Sequence, residues 1–342
     1  MFGFINAVGY STGNAVSNIN NAINTGAVSS TSKFSMQVAS DTQTDYSMAG
    51  GIIGLMGHNS AVANDASSRR GIIHILNSSN TGDITGVAHG VGGLVGLAWS
   101  WFQYSTMSTI QNSSNSGKIT GYCRVGGILG EQFDRWIGHG TLTLRNLVNK
   151  GEVIATIPTG TSSVAGIVGR SHYHSTSTVI TAGAYGTKLE NCLNLGKISY
   201  DADDNAGPYA GGIGGYFGRG YIKNCVNVAF VGPKSGNKPV EDALGTVGGI
   251  AGQLGTTYTP VSFSYWAKSV ATNAFGTSSK SNTIEKALSF DENNQLSEVV
   301  KINNKEYDIA TDALNAWVDA NSTNDIKYVK WKTGNNGPEF AQ

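Results

Sequence analysis

The chain has 342 residues, with 23 basic and 23 acidic side chains and only 13% charged residues. This balanced, low charge gives neither the basic surface that binds nucleic acid nor a polybasic patch for anionic membranes, so we expect no nucleic-acid partner. No apolar run approaches the roughly 18 residues of a membrane-spanning helix, so we also expect no transmembrane segment.

The first 14 residues, MFGFINAVGYSTGN, lack the basic start and the long apolar run of an export signal. They are similar in composition to the repeat that follows, and we interpret them as a degenerate piece of it.

A two-part motif then recurs six times. The first part is Asn-x-x-Asn-x-Gly followed by a short β-prone stretch, and only the last copy loses its glycine, to Ala229. Its copies begin at Asn21, Asn77, Asn112, Asn146, Asn191 and Asn224. The second part is Gly-Gly-Ile/Leu-x-Gly, with one alanine variant, at residues 49–54, 91–96, 125–130, 164–169, 210–215 and 247–252. A recurring unit with spacers of unequal length predicts a repeat array whose insertions lie in loops.

Each copy predicts three short strands, which end near the first asparagine, near the Ile or Val after the motif glycine, and within the glycine pair. Such a unit cannot bury its apolar face alone, so the copies must stack. We predict an all-β fold, a right-handed parallel β-helix (β-solenoid) of about six to seven rungs over residues 1–282. A β-propeller is the alternative, but the unequal spacers and the 46 glycines favour the solenoid.

The repeated asparagines and glycines have a structural interpretation. Equivalent residues of stacked rungs lie about 4.8 Å apart, so asparagine side chains can pass hydrogen bonds from rung to rung. Asparagine also tolerates the left-handed conformation at a bend. We predict asparagine ladders at one or both positions, with a turn-favouring residue and no ladder as the alternative. The glycine pairs predict tight corners and close backbone approach rather than phosphate binding.

Aromatic residues are concentrated in the segments after the glycine pairs. The candidate ligand-binding residues are Trp99, Trp101, Tyr104, Phe133, Trp136, Tyr173 and Tyr216. Equivalent positions of a solenoid align, so we expect these rings along one side. Exposed rings stack on sugar faces, which predicts a carbohydrate-binding surface. The alternative is that the rings pack on one another and cover the flank.

Catalytic patterns are sparse. Glu131, Asp134, Arg135 and His139 lie close together in one aromatic segment. They give the alternative function, a polysaccharide lyase or glycoside hydrolase on a β-helix scaffold. Neighbours in one loop are not the opposed carboxylate pair, roughly 5–10 Å apart, that hydrolysis needs. No metalloprotease or nucleophile-elbow pattern occurs, so we predict a non-enzymatic protein without catalytic residues.

Two groups of residues could bind a metal ion. Asp201, Asp203 and Asp204 place carboxylates close together, which suits calcium, although a solvated loop fits the spacing better. His172 and His174 lack an obvious third ligand. We predict no metal centre and no cofactor, with calcium at the three aspartates as the one cofactor that the sequence allows.

The chain has three cysteines, which give no disulfide framework. Cys192 and Cys225 occupy the same repeat position, directly after the first asparagine. We expect them to be small stacked residues rather than a disulfide, whose geometry is strict.

Residues 283–342 differ from the repeats. Five apolar residues recur at helical spacing, which predicts a helix over about 308–320 with Asp308 as its N-cap. An alternating stretch at 328–332 predicts a short strand. The end of a solenoid exposes unpaired strand edges, so we predict that this segment is a C-terminal α+β cap, with a small binding domain as the alternative.

The repeat resembles the GLUG motif, most closely in GGLVG at residues 92–96 and NSSNSG at residues 112–117. The resemblance covers roughly residues 18 to 255. GLUG repeats occur in large bacterial surface and secreted proteins, including adhesin-like ones. The resemblance implies an extracellular location on a bacterial cell surface, and a role in attachment or as a spacer. We expect a carbohydrate or a host or cell-surface protein as the partner. Because an exported protein needs a leader, we also expect the chain to be part of a longer or lipid-anchored surface protein.

Overall fold

The computed structural model describes residues 2–5, 14–39, 42–57, 70–100, 107–134, 141–156, 162–173, 186–201, 208–234, 246–255, 259–278 and 283–341. These residues form a parallel β-solenoid in which strands of successive rungs pair in register. Each rung has five strand positions, which we number as stacks 1 to 5. Within the ranges given above, no helix is long and apolar enough to cross a bilayer.

Stacks 1 and 2 flank the first asparagine of each motif. Stack 1 contains Asn14–Asn20, Arg70–Leu76, Met107–Gln111, Thr141–Arg145, Gly186–Glu190 and Gly220–Lys223. Stack 2 contains Ile23–Asn24, Ser79–Asn80, Ser114–Asn115, Val148–Asn149, Leu193–Asn194 and Val226–Asn227. One longer strand, Val261–Ala267, continues both stacks at the C-terminal end.

Stacks 3 to 5 complete each rung. Stack 3 contains Val28–Ser30, Ile84–Gly86, Ile119–Gly121, Val153–Ala155, Ile198–Tyr200 and Val231–Pro233. Stack 4 contains Thr42–Gly50, His89–Gly92, Cys123–Gly126, Ser163–Ala165, Tyr209–Gly211 and Val247–Gly248, with Phe34–Ala39 antiparallel at its edge. Stack 5 contains Phe2–Ile5, Ile53–Gly57, Val95–Ser100, Leu129–Asp134, Val168–Tyr173, Gly214–Phe217, Ala251–Leu254 and Phe275–Thr277.

This architecture confirms the predicted parallel β-solenoid of six to seven rungs, since six rungs contain all five positions and partial rungs lie at both ends. The β-propeller alternative is wrong, because motif copies pair in parallel with each other instead of forming antiparallel blades. The prediction of three strands per copy is also wrong, because each complete rung has five. The bend at the first asparagine separates a two-residue strand, and the glycine pair divides the second part of the motif into two strands. Handedness stays a prediction.

Aliphatic columns fill the interior. In stack 1, Ile75, Ile110, Leu144, Leu189 and Ile222 occupy the same register position and are all fully buried. Each such side chain contributes about 1.5–3 kcal/mol relative to an exposed one. Because every column is built by equivalent residues, each rung buries these side chains against those of its neighbours.

The second asparagines of the motifs form a continuous inner ladder. Its members are Asn24, Asn80, Asn115, Asn149, Asn194 and Asn227. Each side-chain nitrogen donates to the oxygen of the next member, at 2.7–2.9 Å. The same nitrogen also donates to the backbone oxygen two residues ahead, at 2.8–3.0 Å. The last five members are fully buried, so the ladder satisfies polar groups that have no access to water.

The first asparagines form an outer ladder at the bend between stacks 1 and 2. All six first asparagines have φ between 50° and 57°, the left-handed conformation that the sequence predicted. The ladder consists of Asn20, Asn77, Asn112, Asn146, Asn191 and Asn224, with Asn20 in place of Asn21 in the first rung. Each nitrogen donates to the oxygen of the preceding member, at 2.7–3.3 Å. Ladders at both positions are therefore confirmed, and their donors point in opposite directions along the solenoid.

The glycine pairs lie directly against the inner ladder. A Cβ atom on the second glycine, such as Gly127, would lie 2.1 Å from the Gly166 oxygen and 2.4 Å from Cγ of Asn149. Real Cβ atoms do not approach other atoms this closely, so only glycine fits. The two parts of the motif therefore touch across the interior, which confirms the predicted close backbone approach.

The C-terminal segment closes the last rung. It contains the strands Ile284–Phe290, Gln295–Ile302, Lys305–Ile309, Trp331–Gly334 and Gly337–Phe340, and the helix Ala310–Asn321. The first of these strands pairs in parallel with Val261–Ala267, and the next two continue antiparallel.

The predicted helix at 308–320 lies at Ala310–Asn321 and buries the predicted face, which includes Leu314 and Trp317. The predicted N-cap, Asp308, is wrong: Ile309 occupies the cap position, and no side chain caps the helix. Residue 308 belongs instead to the strand that leads directly into the helix.

Candidate functional site

A row of aromatic rings crosses four rungs on the flank formed by stacks 4 and 5. Its members are Trp99, Phe133, His172, Tyr216 and Tyr209. Successive ring centroids lie 5.5, 5.7, 5.9 and 5.8 Å apart. The first three rings occupy the same register position of stack 5, so the predicted alignment of aromatic residues is real for this part of the chain.

The exposure of the row changes along its length. Trp99 and Phe133 are only 4% and 1% exposed, because they pack in a cluster with Tyr46 and Leu97. An open sugar-stacking platform at these two residues is therefore wrong, and the packing alternative applies to them. Tyr216 and its neighbour Tyr209 are only half-buried.

The other predicted ligand-binding residues are placed only in part. Tyr173 ends a strand of stack 5, where the structure describes its backbone alone. Trp101, Tyr104 and Trp136 lie outside the described residues. His172 belongs to the aromatic row although the sequence presented it only as a weak metal ligand. Its alignment with the repeat could have indicated this, because His172 lies one rung beyond Phe133 at the same position of stack 5.

A buried ion cluster lies beside the row. Glu131 is fully buried, and its Oε2 lies 2.9 Å from Nη1 of Arg124. Its Oε1 lies 3.7 Å from Nη1 of Arg170 on the next rung. In the preceding rung Leu97 occupies the position of Glu131, so the cluster is a departure from the repeat. Arg124 has φ of 59°, a strained backbone conformation for arginine, and from this position its side chain reaches the carboxylate.

Two arginines and one carboxylate leave the cluster with one surplus positive charge. Burial is the largest influence on the pKa of Arg124 and lowers it, but attraction to Glu131, Tyr46 and Cys123, together with the hydrogen bond to Glu131, raises the pKa overall. The pKa of Arg170 is lowered by burial and by repulsion from Arg124. Arg124 also donates to the Tyr46 hydroxyl at 2.8 Å. The pKa of the nearby His89 is lowered to about 3, by burial first and then by repulsion from Arg124 and other cations.

This arrangement limits the chemistry available at Glu131, the predicted catalytic candidate that the structure describes in full. The cluster, as described, contains one carboxylate, and both flanking groups on Glu131 are guanidinium groups. For Asp134 the structure describes only the backbone, while Arg135 and His139 lie outside the described residues. The geometry of the cluster therefore fits a role in anchoring the aromatic row, with the Arg170 guanidinium lying 5.5 Å from the centre of the Tyr216 ring.

The metal-ligand candidates are described only in part. Asp201 is half-exposed and pairs with Lys234 at 3.6 Å, while Asp203 and Asp204 lie outside the described residues, as does His174. In the part of the chain that the structure describes, no three His, Cys, Asp or Glu residues are placed to hold a metal. Cys192 and Cys225 are free, buried thiols that donate to backbone oxygens.

A second candidate site was not predicted. The C-terminal segment folds back along the solenoid and docks on the outer ladder. Asn146 donates to the backbone oxygen of Lys327 at 2.9 Å and accepts from the nitrogen of Val329 at 3.1 Å. Asn191 donates to the oxygen of Val329 at 2.9 Å and accepts from Nε1 of Trp331 at 2.8 Å.

An ionic contact fixes the same docking. Glu190 accepts from the Tyr328 hydroxyl at 2.9 Å and from Nε of Arg145 at 2.8 Å, and it also contacts Tyr221. The sequence feature that could have indicated this docking is the residue before the second asparagine of each motif. This outward position is serine in the second and third rungs, and it is Val148, Leu193 and Val226 where the C-terminal segment covers it.

Comparison with models of protein families, with curated proteins and with solved structures found no match to this chain.

Proposed function

We propose that this chain is a non-enzymatic attachment module of a bacterial cell-surface protein, in which a stiff β-solenoid holds a carbohydrate-binding flank away from the cell. The main support for the proposal is the structural role of the repeated residues. Both asparagines and the glycines of the motif are used in ladders and close packing, so the repeat serves the scaffold.

The aromatic row supports carbohydrate as the ligand class. Tyr216, Tyr209 and His172 are half-buried, and a surplus positive charge lies beside them at Arg170. Half-exposed rings beside hydrogen-bonding groups are suited to a sugar, which stacks its apolar face on a ring and binds its hydroxyls to polar neighbours. The proposed ligand-binding set also includes Trp101, Tyr104, Trp136 and Tyr173, which the sequence indicated. The resemblance to GLUG repeats supports the extracellular setting.

A glycan and mucin array tests the proposal. The parent chain is compared with Tyr216→Ala, and with Tyr307→Ala as the matched control, since Tyr307 is a half-buried tyrosine in the cap. Loss of one stacking ring costs about 1–1.5 kcal/mol, so we expect the Tyr216 variant to bind about tenfold more weakly. The control variant should bind as the parent does.

Two outcomes would contradict parts of the proposal. Absence of binding to every glycan and mucin would remove the attachment role and leave a spacer. Release of new sugar ends from a bound polysaccharide would show turnover. Its loss in a Glu131→Gln variant that is still folded by circular dichroism would support the lyase or hydrolase alternative.

A further inference from the structure

The outer ladder presents one row of hydrogen-bonding groups beyond those that hold its members together. An asparagine side chain has two N–H donors and an oxygen with two lone pairs. Each internal member uses one donor and one lone pair on its neighbours in the ladder. This leaves one donor and one lone pair on each internal member for a further partner.

At Asn146 and Asn191 this second row binds main chain. Asn146 pairs with both the oxygen of Lys327 and the nitrogen of Val329, so a single side-chain amide flanks residue Tyr328 as a neighbouring β-strand would. Asn191 then binds the oxygen of Val329. The ladder therefore recognises an extended backbone, using one asparagine for every two residues.

The same ladder continues uncovered in the preceding rungs. Asn77 and Asn112 are exposed, and their ladder bonds are intact. An open groove of about 430 Å³ lies where the covered part ends, lined by residues that include Asn112, Ser114, Val148, Tyr328 and Phe340. The groove thus joins unused amides to the edge of the docked segment.

We propose that Asn77, Asn112 and this groove bind a short extended peptide of a partner protein, through the main-chain hydrogen bonds that the chain's own segment makes on Asn146 and Asn191. The contact is limited in length. Two residues of an extended strand advance about 6.6 Å, whereas rungs are about 4.8 Å apart, so the register is lost after two or three rungs. The partner segment is therefore short, and side chains contribute little to its selection.

The test uses the intact chain, labelled with ¹⁵N, and the capped peptide DIKYVK, which copies residues 325–330. We expect millimolar peptide to shift the side-chain amide signals of Asn77 and Asn112. A peptide N-methylated at the valine lacks the N–H that corresponds to Val329, and it should bind at least fivefold more weakly. This second probe tests main-chain recognition directly.

Two variants locate the site. Asn112→Gly keeps the left-handed backbone and removes the amide, and it should weaken peptide binding at least fivefold with unchanged circular dichroism. Asn18→Ala removes an exposed asparagine of stack 1 that is outside the ladder, and it should leave binding unchanged. Three results would overturn the proposal: no shift at Asn77 and Asn112, shifts confined to Asn146 and Asn191 through displacement of the chain's own segment, or shifts caused by N-acetylglucosamine oligomers and not by peptide.

Discussion

The inner ladder should stabilise the fold far more than the outer one, and Asn149→Ala is the sharpest test. Asn149 is fully buried, donates to Asn194 at 2.8 Å and to the Gly151 oxygen at 2.9 Å, and accepts from Asn115 at 2.9 Å. Three hydrogen bonds at about 1 kcal/mol each, and the buried groups left without a partner, give a loss of about 3–5 kcal/mol in the free energy of unfolding.

The matched variant is Asn112→Gly in the exposed part of the outer ladder. Water can replace the lost hydrogen bonds there, and glycine tolerates the left-handed backbone, so we expect a loss of about 1 kcal/mol or less. Denaturant unfolding measures both losses, and hydrogen exchange of backbone amides identifies the rungs that open, since repeat arrays can unfold in parts. Equal, small losses in the two variants would refute the view that buried amide ladders hold the rungs together.

Three further perturbations test the packing and the electrostatics. Gly127→Ala should prevent correct stacking and destabilise the fold by at least about 3 kcal/mol, whereas Gly26→Ala, whose added Cβ meets no atom within 4 Å, should change the melting temperature little. Glu131→Gln removes the carboxylate between two buried arginines and should cost about 3–5 kcal/mol in a denaturant titration; a change below 1 kcal/mol would contradict the buried pairing with Arg124. His89 is neutral in the folded chain, with its pKa lowered to about 3 from 6.5, so the unfolded chain binds the extra proton and stability falls as pH drops from about 6.5 towards about 3. Unfolding measured from pH 6.5 to 4.5 should show a loss of about 1 kcal/mol per pH unit that His89→Gln reduces.

Most of the scaffold could be predicted from the sequence, because the residues that determine it act locally or recur periodically. The left-handed asparagine at each bend, the ladders and the glycine contacts all follow from residues that recur at one position in every copy. The same regularity explains the burial of Cys192 and Cys225 as stacked thiols. Stacking converts a one-dimensional repeat into neighbours in space, so a pattern in the sequence becomes a prediction of contacts.

The sites were harder to predict because they depend on contacts between positions that do not repeat. The burial of Trp99 depends on Tyr46 in another stack and another rung. The pairing of Glu131 with Arg124 depends on the positive φ of Arg124, which no local pattern indicated. The docking of Tyr328 on Glu190 joins residues 138 positions apart.

Hydrogen exchange of the side-chain amides would show whether the repeated asparagines hold the scaffold together. Nuclear magnetic resonance of the intact chain should show slow exchange for the buried inner ladder, Asn80, Asn115, Asn149, Asn194 and Asn227. The exposed Asn18 and Asn77 should exchange quickly. Fast exchange at all of these side chains would contradict the ladder and, with it, the assignment of the repeat to structure rather than to chemistry.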